Sequence, residues 1–329
     1  MSKRPLAILL GITGDFAFAA GCVLQSLHRH NPGLDCDILL YADDALPAND
    51  RCLLESLGAS ILPFSPLNAA FPEAFLRKFS PLCLAKLEAF RLLDRYATVI
   101  WLDADIAIQD GIGGLAACGP FAMAVEDPAF GEKGVTSPAA INSFHPLPGL
   151  DPDKPNRNSG ILVLWDSLPD PEGMYQICMD WLTEHAPHIK YPDQSVLNML
   201  AQRLETADPP LFSAIPHDRF NAHPRNPRAQ HAAIVHAFGA YKLWDDGLTR
   251  CSFPEWDRDY ARWVALGGTP WNGDVENDVF LEGGAFAMLN KLYSLSAAAE
   301  TKLGQLQDEL RQERMIRERF ESIARKLGG

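Results

Sequence analysis

The feature that most narrows what this chain can fold into is a series of short, predominantly apolar runs, each closed by a break in the pattern. Leu6 to Leu10 lies between Pro5 and Gly11, Asp37-Ile38-Leu39-Leu40-Tyr41 stops at Asp43-Asp44, and Thr98-Val99-Ile100-Trp101-Leu102 stops at Asp103. Runs of this length, apolar toward both faces, are the mark of strands covered on both sides, as in parallel sheets. Between the first two, Cys22, Val23, Ser26 and Leu27 keep helical spacing up to Asn31-Pro32-Gly33. Strand, helix, strand implies a right-handed crossover and a parallel-centred α/β sheet. Further on, Leu82 to Tyr96 reads as an amphipathic helix with Leu84, Leu87, Phe90 and Leu93 on its buried side. Ile161 to Trp165 and Ala233 to Val235 return to strand character, whereas Pro171 to Glu184 and Gln194 to Arg203 read as helices, the second opening just after Pro192-Asp193.

With 47% hydrophobic and 22% charged residues among 329, the chain can bury a large core. Its net charge of -13 disfavours a nucleic-acid partner, because phosphate contacts need clustered Lys and Arg. The seven cysteines are Cys22, Cys36, Cys52, Cys83, Cys118, Cys178 and Cys251, and none forms a Cys-x-x-Cys pair. That scatter suits reduced thiols in a cytoplasmic protein. No apolar run has the length of a membrane span. Lys3-Arg4, the following apolar run and Ala17-Phe18-Ala19 mimic a secretory leader, but Thr13, Gly14 and Asp15 interrupt it, and a first strand with a functional loop explains the same residues.

Beyond about Ser296 the composition shifts to Ala, Gln, Glu, Arg and Leu. Leu303, Leu306, Leu310, Ile316, Phe320, Ile323 and Leu327 follow three-four spacing, with a phase slip after Leu310. We therefore expect a catalytic domain over 1–270 and a C-terminal extension over 271–329 that carries a long amphipathic, coiled-coil-like helix. Its mixed Glu and Arg flanks favour pairing into a homo-oligomer over peripheral membrane contact, and both readings stand.

Asp103-Ala104-Asp105 sends two carboxylates to the same side of an extended segment. It also lies at a strand's C-terminal end, where ligands bind in open α/β sheets. Two hard oxygen ligands with room for water and phosphate suit Mg2+ or Mn2+ better than structural zinc. A solvated strand end capping a helix explains an isolated Asp-x-Asp equally well, so the surrounding residues have to decide.

Those residues carry a resemblance. Leu84-Ala85-Lys86-Leu87-Glu88-Ala89-Phe90, followed by Tyr96-Ala97-Thr98-Val99-Ile100-Trp101-Leu102-Asp103-Ala104-Asp105, resembles the signature of retaining glycosyltransferase family eight, the family of glycogenin and of the bacterial lipopolysaccharide galactosyl- and glucosyltransferases. Three further segments match in the family's order: Asn158-Ser159-Gly160, Asp193-Gln194 with Leu197-Asn198, and His236-x-x-Gly239-x-x-Lys242-x-Trp244. The resemblance implies a GT-A fold, a mostly parallel Rossmann-like sheet flanked by helices. It implies a UDP-sugar donor, UDP-glucose or UDP-galactose, and a Mn2+ or Mg2+ cofactor. Asp103, Asp105 and His236 would hold the metal, with Ala104 between the two carboxylates against the donor. Gly239 and Lys242 would meet the diphosphate, and Lys86 would sit near the phosphates or the sugar. Asp193, Gln194 and Asn158 would face the sugar, and Asn198 falls in register with them. A polar first turn capping the following helix would also account for Asp193.

The loop Ile12-Thr13-Gly14-Asp15-Phe16 occupies the family's nucleotide position, with Phe16 stacking on uracil and Thr13 and Asp15 bonding base and ribose. It departs most from the family pattern, and a plain strand-to-helix turn capped by Asp15 explains it almost as well. Leu243 also replaces a usual Pro before Trp244. The acceptor is expected to be a saccharide or glycoconjugate, shaped by Glu126 to Asn156 and His217 to Pro227. Three alternatives stay open: a degenerate GT-A scaffold acting through its C-terminal helix, a self-glucosylating protein of the glycogenin kind, and a sugar nucleotidyltransferase. The last would need a glycine- and basic-rich first loop, at which Gly11, Gly14 and Lys3-Arg4 only hint.

Overall fold

The computed structural model describes residues 3–64, 80–126, 147–151, 153–189, 191–239, 242–244 and 252–272. In chain order the elements are β1 (Arg4–Ile12), α1 (Ala17–His30), β2 (Asp37–Ala42), α2 (Ala48–Ser56), β3 (Ala59–Pro63), α3 (Glu88–Leu92), β4 (Tyr96–Leu102) and β5 (Ile106–Ile108). They continue with β6 (Phe121–Val125), β7 (Arg157–Trp165), α4 (Pro171–His185), α5 (Pro192–Glu205), β8 (Phe212–Ile215), α6 (His217–Phe220), β9 (Ile234–His236) and α7 (Pro254–Ala265).

The main sheet has seven strands in the order β3-β2-β1-β4-β7-β6-β8. Strands β3, β2, β1 and β4 run parallel to one another, β7 is antiparallel to both β4 and β6, and β8 is parallel to β6. The Leu6 to Leu10 run lies in β1 at the centre, and its period of two assigns its side chains to two layers. Leu6, Ile8 and Leu10 pack with Phe18, Leu24 and Trp263 on the α1 and α7 side. Ala7 and Leu9 pack with Leu87, Phe90, Leu182 and Val196 on the α3, α4 and α5 side.

Three expectations are corrected. The stretch from Leu82 to Tyr96 is not one α-helix: a 3-10 helix over Pro81–Leu87 precedes the short α3, and Tyr96 already belongs to β4. Leu84, Leu87, Phe90 and Leu93 are spaced by three, which satisfies a three-residue turn as well as an α-helical face. The helix expected after Pro192-Asp193 begins at Pro192 itself, with Pro at the first helical position where its missing N–H costs nothing. The strand expected over Ala233 to Val235 is displaced by one and ends on His236.

Chain contacts divide the molecule into two units, Met1–Gly273 and Asp274–Gly329. The second unit, with the expected C-terminal helix, lies outside the described residues, as does Cys251. Among the described residues the six other cysteines form no disulfide, and no helix is long and apolar enough to cross a membrane.

Candidate active site

At the C-terminal edge of β1 and β4 the fold leaves a cleft of about 720 Å3. Every residue expected to hold the metal or touch the donor lines it except Asp15, which is exposed outside it in a 3-10 turn over Gly14–Phe16; none of His217 to Pro227, expected to shape the acceptor site, lines it. Asp15 caps no helix either: the Gly14 N–H donates to Asp43 Oδ1 at 2.9 Å, and no side chain caps α1. A second hollow, of about 840 Å3, lies between α4 and α5 and gathers no metal-ligating cluster among the described residues.

One corner of the cleft collects Asp103, Asp105 and His236, each offering a ligand atom within 4.8 Å of the others. The two-stranded pairing of β5 with β9 sets Ile106 opposite His236, and the Ala237 N–H donates to Asp105 O, so the imidazole arrives beside the carboxylate. His236 lies against Gly160, where an added Cβ would overlap the ring; only glycine fits there. Nδ1 of His236 donates to Asn221 Oδ1 at 2.8 Å, which fixes the tautomer and leaves the Nε2 lone pair facing the carboxylates. Nε2 is buried without an aligned hydrogen bond, although Asp105 Oδ1 is 3.0 Å and Asp103 Oδ2 is 3.8 Å away. A buried imidazole nitrogen pointed at two carboxylate oxygens is a donor set that fits a divalent cation.

The other oxygen of each carboxylate is taken by a lysine. Lys86 Nζ lies 3.2 Å from Asp103 Oδ1, which also accepts from Trp101 Nε1 at 2.6 Å. Lys242 donates to Asp105 Oδ2 and, at 3.0 Å, to Ala237 O. Burial alone would raise the Asp105 pKa, but Lys242 and then His236 outweigh it and hold the carboxyl well below its usual range. For Lys86, burial works to lower the pKa, and Asp103 and then Asp193 overcome it, so the ammonium is kept charged.

Lys86 links this corner to the next. Its Nζ is 2.5 Å from Asp193 Oδ2 and 3.2 Å from both Ser159 O and Ser159 Oγ, and Ser159 Oγ donates to Asp193 Oδ2 at 2.8 Å. Asp193 therefore neither caps α5 nor stands alone. Asn158 accepts the Gly160 N–H at 2.9 Å. Asn198 is not in the cleft: it is fully buried and bonds to backbone.

Among the other lining residues, Trp101, Ser159 and Tyr191 had no role assigned from the sequence, and Glu126 stood only at the edge of the segment expected to shape the acceptor site. Burial pushes the Glu126 carboxyl up, and the Asn156 amide, which donates to Glu126 Oε2 at 2.8 Å, offsets part of that. At the opposite end Phe16 is 38% exposed and leans on Trp244 and Phe18 with ring centroids 5.8 and 6.1 Å away. Trp244 is a packing residue, enclosed by Phe18, Trp256 and Trp271, and Leu243 is buried beside it.

A parallel-centred sheet with this edge and cleft defines a glycosyltransferase of the GT-A fold. The chain belongs to glycosyl transferase family 8, whose model matches residues 7–247. Among solved structures it is similar to the galactosyltransferase LgtC in complex with donor and acceptor sugar analogs, at TM-score 0.59 and 15% identity, covering 79% of this chain and 99% of that one. It is similar also to the WbbM bifunctional glycosyltransferase, at TM-score 0.61 and 15% identity, covering 81% of this chain and 52% of that one. At these identities the likeness speaks for the fold. No curated protein matches the sequence closely enough to count as a relative.

Proposed function

We propose that this glycosyltransferase moves glucose or galactose from a UDP-sugar to a saccharide or glycoconjugate acceptor, with a divalent cation and with retention of the anomeric configuration. The observation that carries the reading is the division of labour at Asp103 and Asp105: each gives one oxygen to a lysine and turns the other toward His236 Nε2. That set would hold Mn2+ or Mg2+, the imidazole favouring Mn2+. When bound, the cation supplies positive charge against the diphosphate as it departs.

The chain's own groups do the rest. Lys242, at the cleft wall beside the positive-φ Gly239, adds a second cation for the diphosphate. Thr13 and Phe16 suit the nucleoside end, and Asn158 and Gln194 suit the sugar. In a double displacement Asp193 would attack C1 as the nucleophile. Its bonds to Lys86 and Ser159 stabilise the carboxylate where it is and favour the other retaining route. On that route the C1–O bond to UDP breaks with its electron pair leaving on the β-phosphate. The acceptor hydroxyl then bonds C1 from the same face, and its proton passes to the β-phosphate. The intact set of Asp103, Asp105, His236 and Lys242 speaks against a degenerate scaffold. The three-four spacing from Leu303 to Leu327 supports self-association as the role of the C-terminal extension.

The test is a screen of nucleotide sugars with Mn2+, scoring donor hydrolysis and transfer, followed by proton NMR of the first-formed product. An α-anomeric signal that disappears with chelator is expected. Full turnover in excess chelator would remove the metal from the reading, and a β-anomeric first product would remove retention.

A further inference from the structure

Where β7 enters the cleft its ladder is irregular. Met123 pairs with Leu162, but the next residue, Ala124, pairs with Asn158, so Ser159, Gly160 and Ile161 bulge from the β6 side. A bulge re-aims side chains, and this one presents Asn158 and Ser159 to the cleft. On its other flank β4 stops at Leu102, opposite Ile161, and so does not reach Arg157. The backbone groups of Arg157 are met instead by one side chain. Asn198 Oδ1 accepts the Arg157 N–H at 2.8 Å, and Asn198 Nδ2 donates to Arg157 O at 2.7 Å and to Gln194 O at 2.8 Å.

Only a carboxamide carries both a donor and an acceptor in this arrangement, so Asn198 acts as a stand-in for a missing strand residue. It joins the foot of the bulge to the first turn of α5, which carries Asp193 and Gln194. We infer that Asn198 is a positioning residue, setting the separation between Asn158 and Ser159 on one side and Asp193 and Gln194 on the other. The inference rests on the donor reading above for its kinetic consequence, but not for its structural one. On the same face of α5, one turn on, Gln202 holds Asp151 in the same manner, accepting from its N–H at 2.7 Å and donating to its carbonyl at 3.1 Å. Gln202 grips a segment outside the cleft and so provides a matched control.

The experiment compares Asn198→Asp, Asn198→Ser and Gln202→Ala in the full chain. Asn198→Asp keeps the volume and turns a carboxylate oxygen toward two carbonyls. Asn198→Ser is the milder variant should the first fail to fold. In the Asn198 variants kcat for transfer should fall about 100-fold, as for a misplacement of the reacting groups near 1 Å, while UDP affinity with Mn2+ stays within about threefold. Gln202→Ala should lower the melting temperature comparably; because Asp151 lies in the segment expected to shape the acceptor site, its control readout is donor hydrolysis, whose kcat should stay near wild type while it falls in the Asn198 variants. Amide hydrogen exchange gives a readout independent of turnover. It should quicken at Asn158 to Gly160 and in the first turn of α5 for Asn198→Ser, but not in β1, and not for Gln202→Ala. Equal kinetic and exchange effects in the Asn198 and Gln202 variants would reduce Asn198 to a general stabiliser and overturn the inference, as would a folded Asn198→Asp with wild-type kcat. If the wild type turns over no UDP-sugar, the donor reading fails, and the exchange pattern alone decides Asn198.

Discussion

At the corner of Asp103, Asp105 and His236, Asp105 meets Lys242 from 137 positions away, and His236 is held by Asn221 and packed on Gly160. At the far end of the same cleft Phe16 leans on Trp244 and Phe18 through ring contacts alone. The first region depends on the direction of individual lone pairs in a desolvated setting, where moving one atom is expensive. The second depends on contact area, which changes by degrees. Substitutions at the two ends should therefore differ in kind.

The largest effect is expected from Asp105→Ala, which removes a ligand oxygen and leaves Lys242 without its carboxylate. Donor turnover should drop about 1000-fold or more, on the scale of losing metal charge stabilisation, with an unaltered far-UV circular dichroism spectrum. If residual activity instead stays within tenfold of wild type, the corner is not the metal site and the contrast collapses. Next comes Asn221→Leu, which removes no ligand atom but takes away the partner of His236 Nδ1. By freeing Nδ1 of His236 it should weaken Mn2+ about 10- to 100-fold, read by calorimetry in the presence of UDP. Phe16→Ala should act on the donor KM alone, raising it roughly tenfold with kcat unchanged, as loss of one base-stacking surface would. A fall in kcat there would show that the aromatic end is coupled to the chemistry.

The smallest effect concerns Glu126, whose folded pKa stands above the ordinary 4.5 because burial penalises its charge. A raised carboxyl favours folding most while protonated, so its contribution is present at low pH and lost as pH rises through the folded value. Glu126→Gln, which keeps an acceptor for Asn156, should therefore gain stability at pH 7 by under about 1 kcal/mol and show no gain at pH 4. Thermal melts at the two pH values test it.

That Asp103, Asp105 and His236 would come together was legible because much of the pattern is written locally. An apolar strand ending in Asp-x-Asp, and a short apolar run ending on His236 with Gly239 and Lys242 behind it, are patterns within a few residues. The roles of Asn221 and Ser159 were not legible because each acts through a partner distant in sequence, His236 and Asp193, whereas Trp101 donates to Asp103 only two residues on, a contact that the apolar pattern of its strand conceals. The register of Asn198 with Asp193 was legible, but its contacts were not: α5 turns it into the core, where it bonds to the backbone of Arg157. The reading of Asp15 as a cap failed because α1 begins only at Ala17, after a 3-10 turn over Gly14–Phe16, and no side chain caps it. Leu82 to Tyr96 was misread because a spacing of three does not distinguish two kinds of helix.

The segment after Trp244 carries a consequence for anyone trimming this enzyme. The family match ends at 247, yet α7 follows it and lays Trp263 against α1 at Gly21, where any side chain would strike the indole, while Trp256 covers Trp244. Arg29 on α1 closes the join with a two-pronged grip on Asp259, at 2.5 and 2.7 Å. An expression boundary drawn at the edge of the family match would strip Trp256 and Trp271 from Trp244 and Trp263 from Gly21, exposing apolar surface behind the aromatic end of the cleft, so a truncation ending near Trp271 is expected to be better folded than one ending at 247.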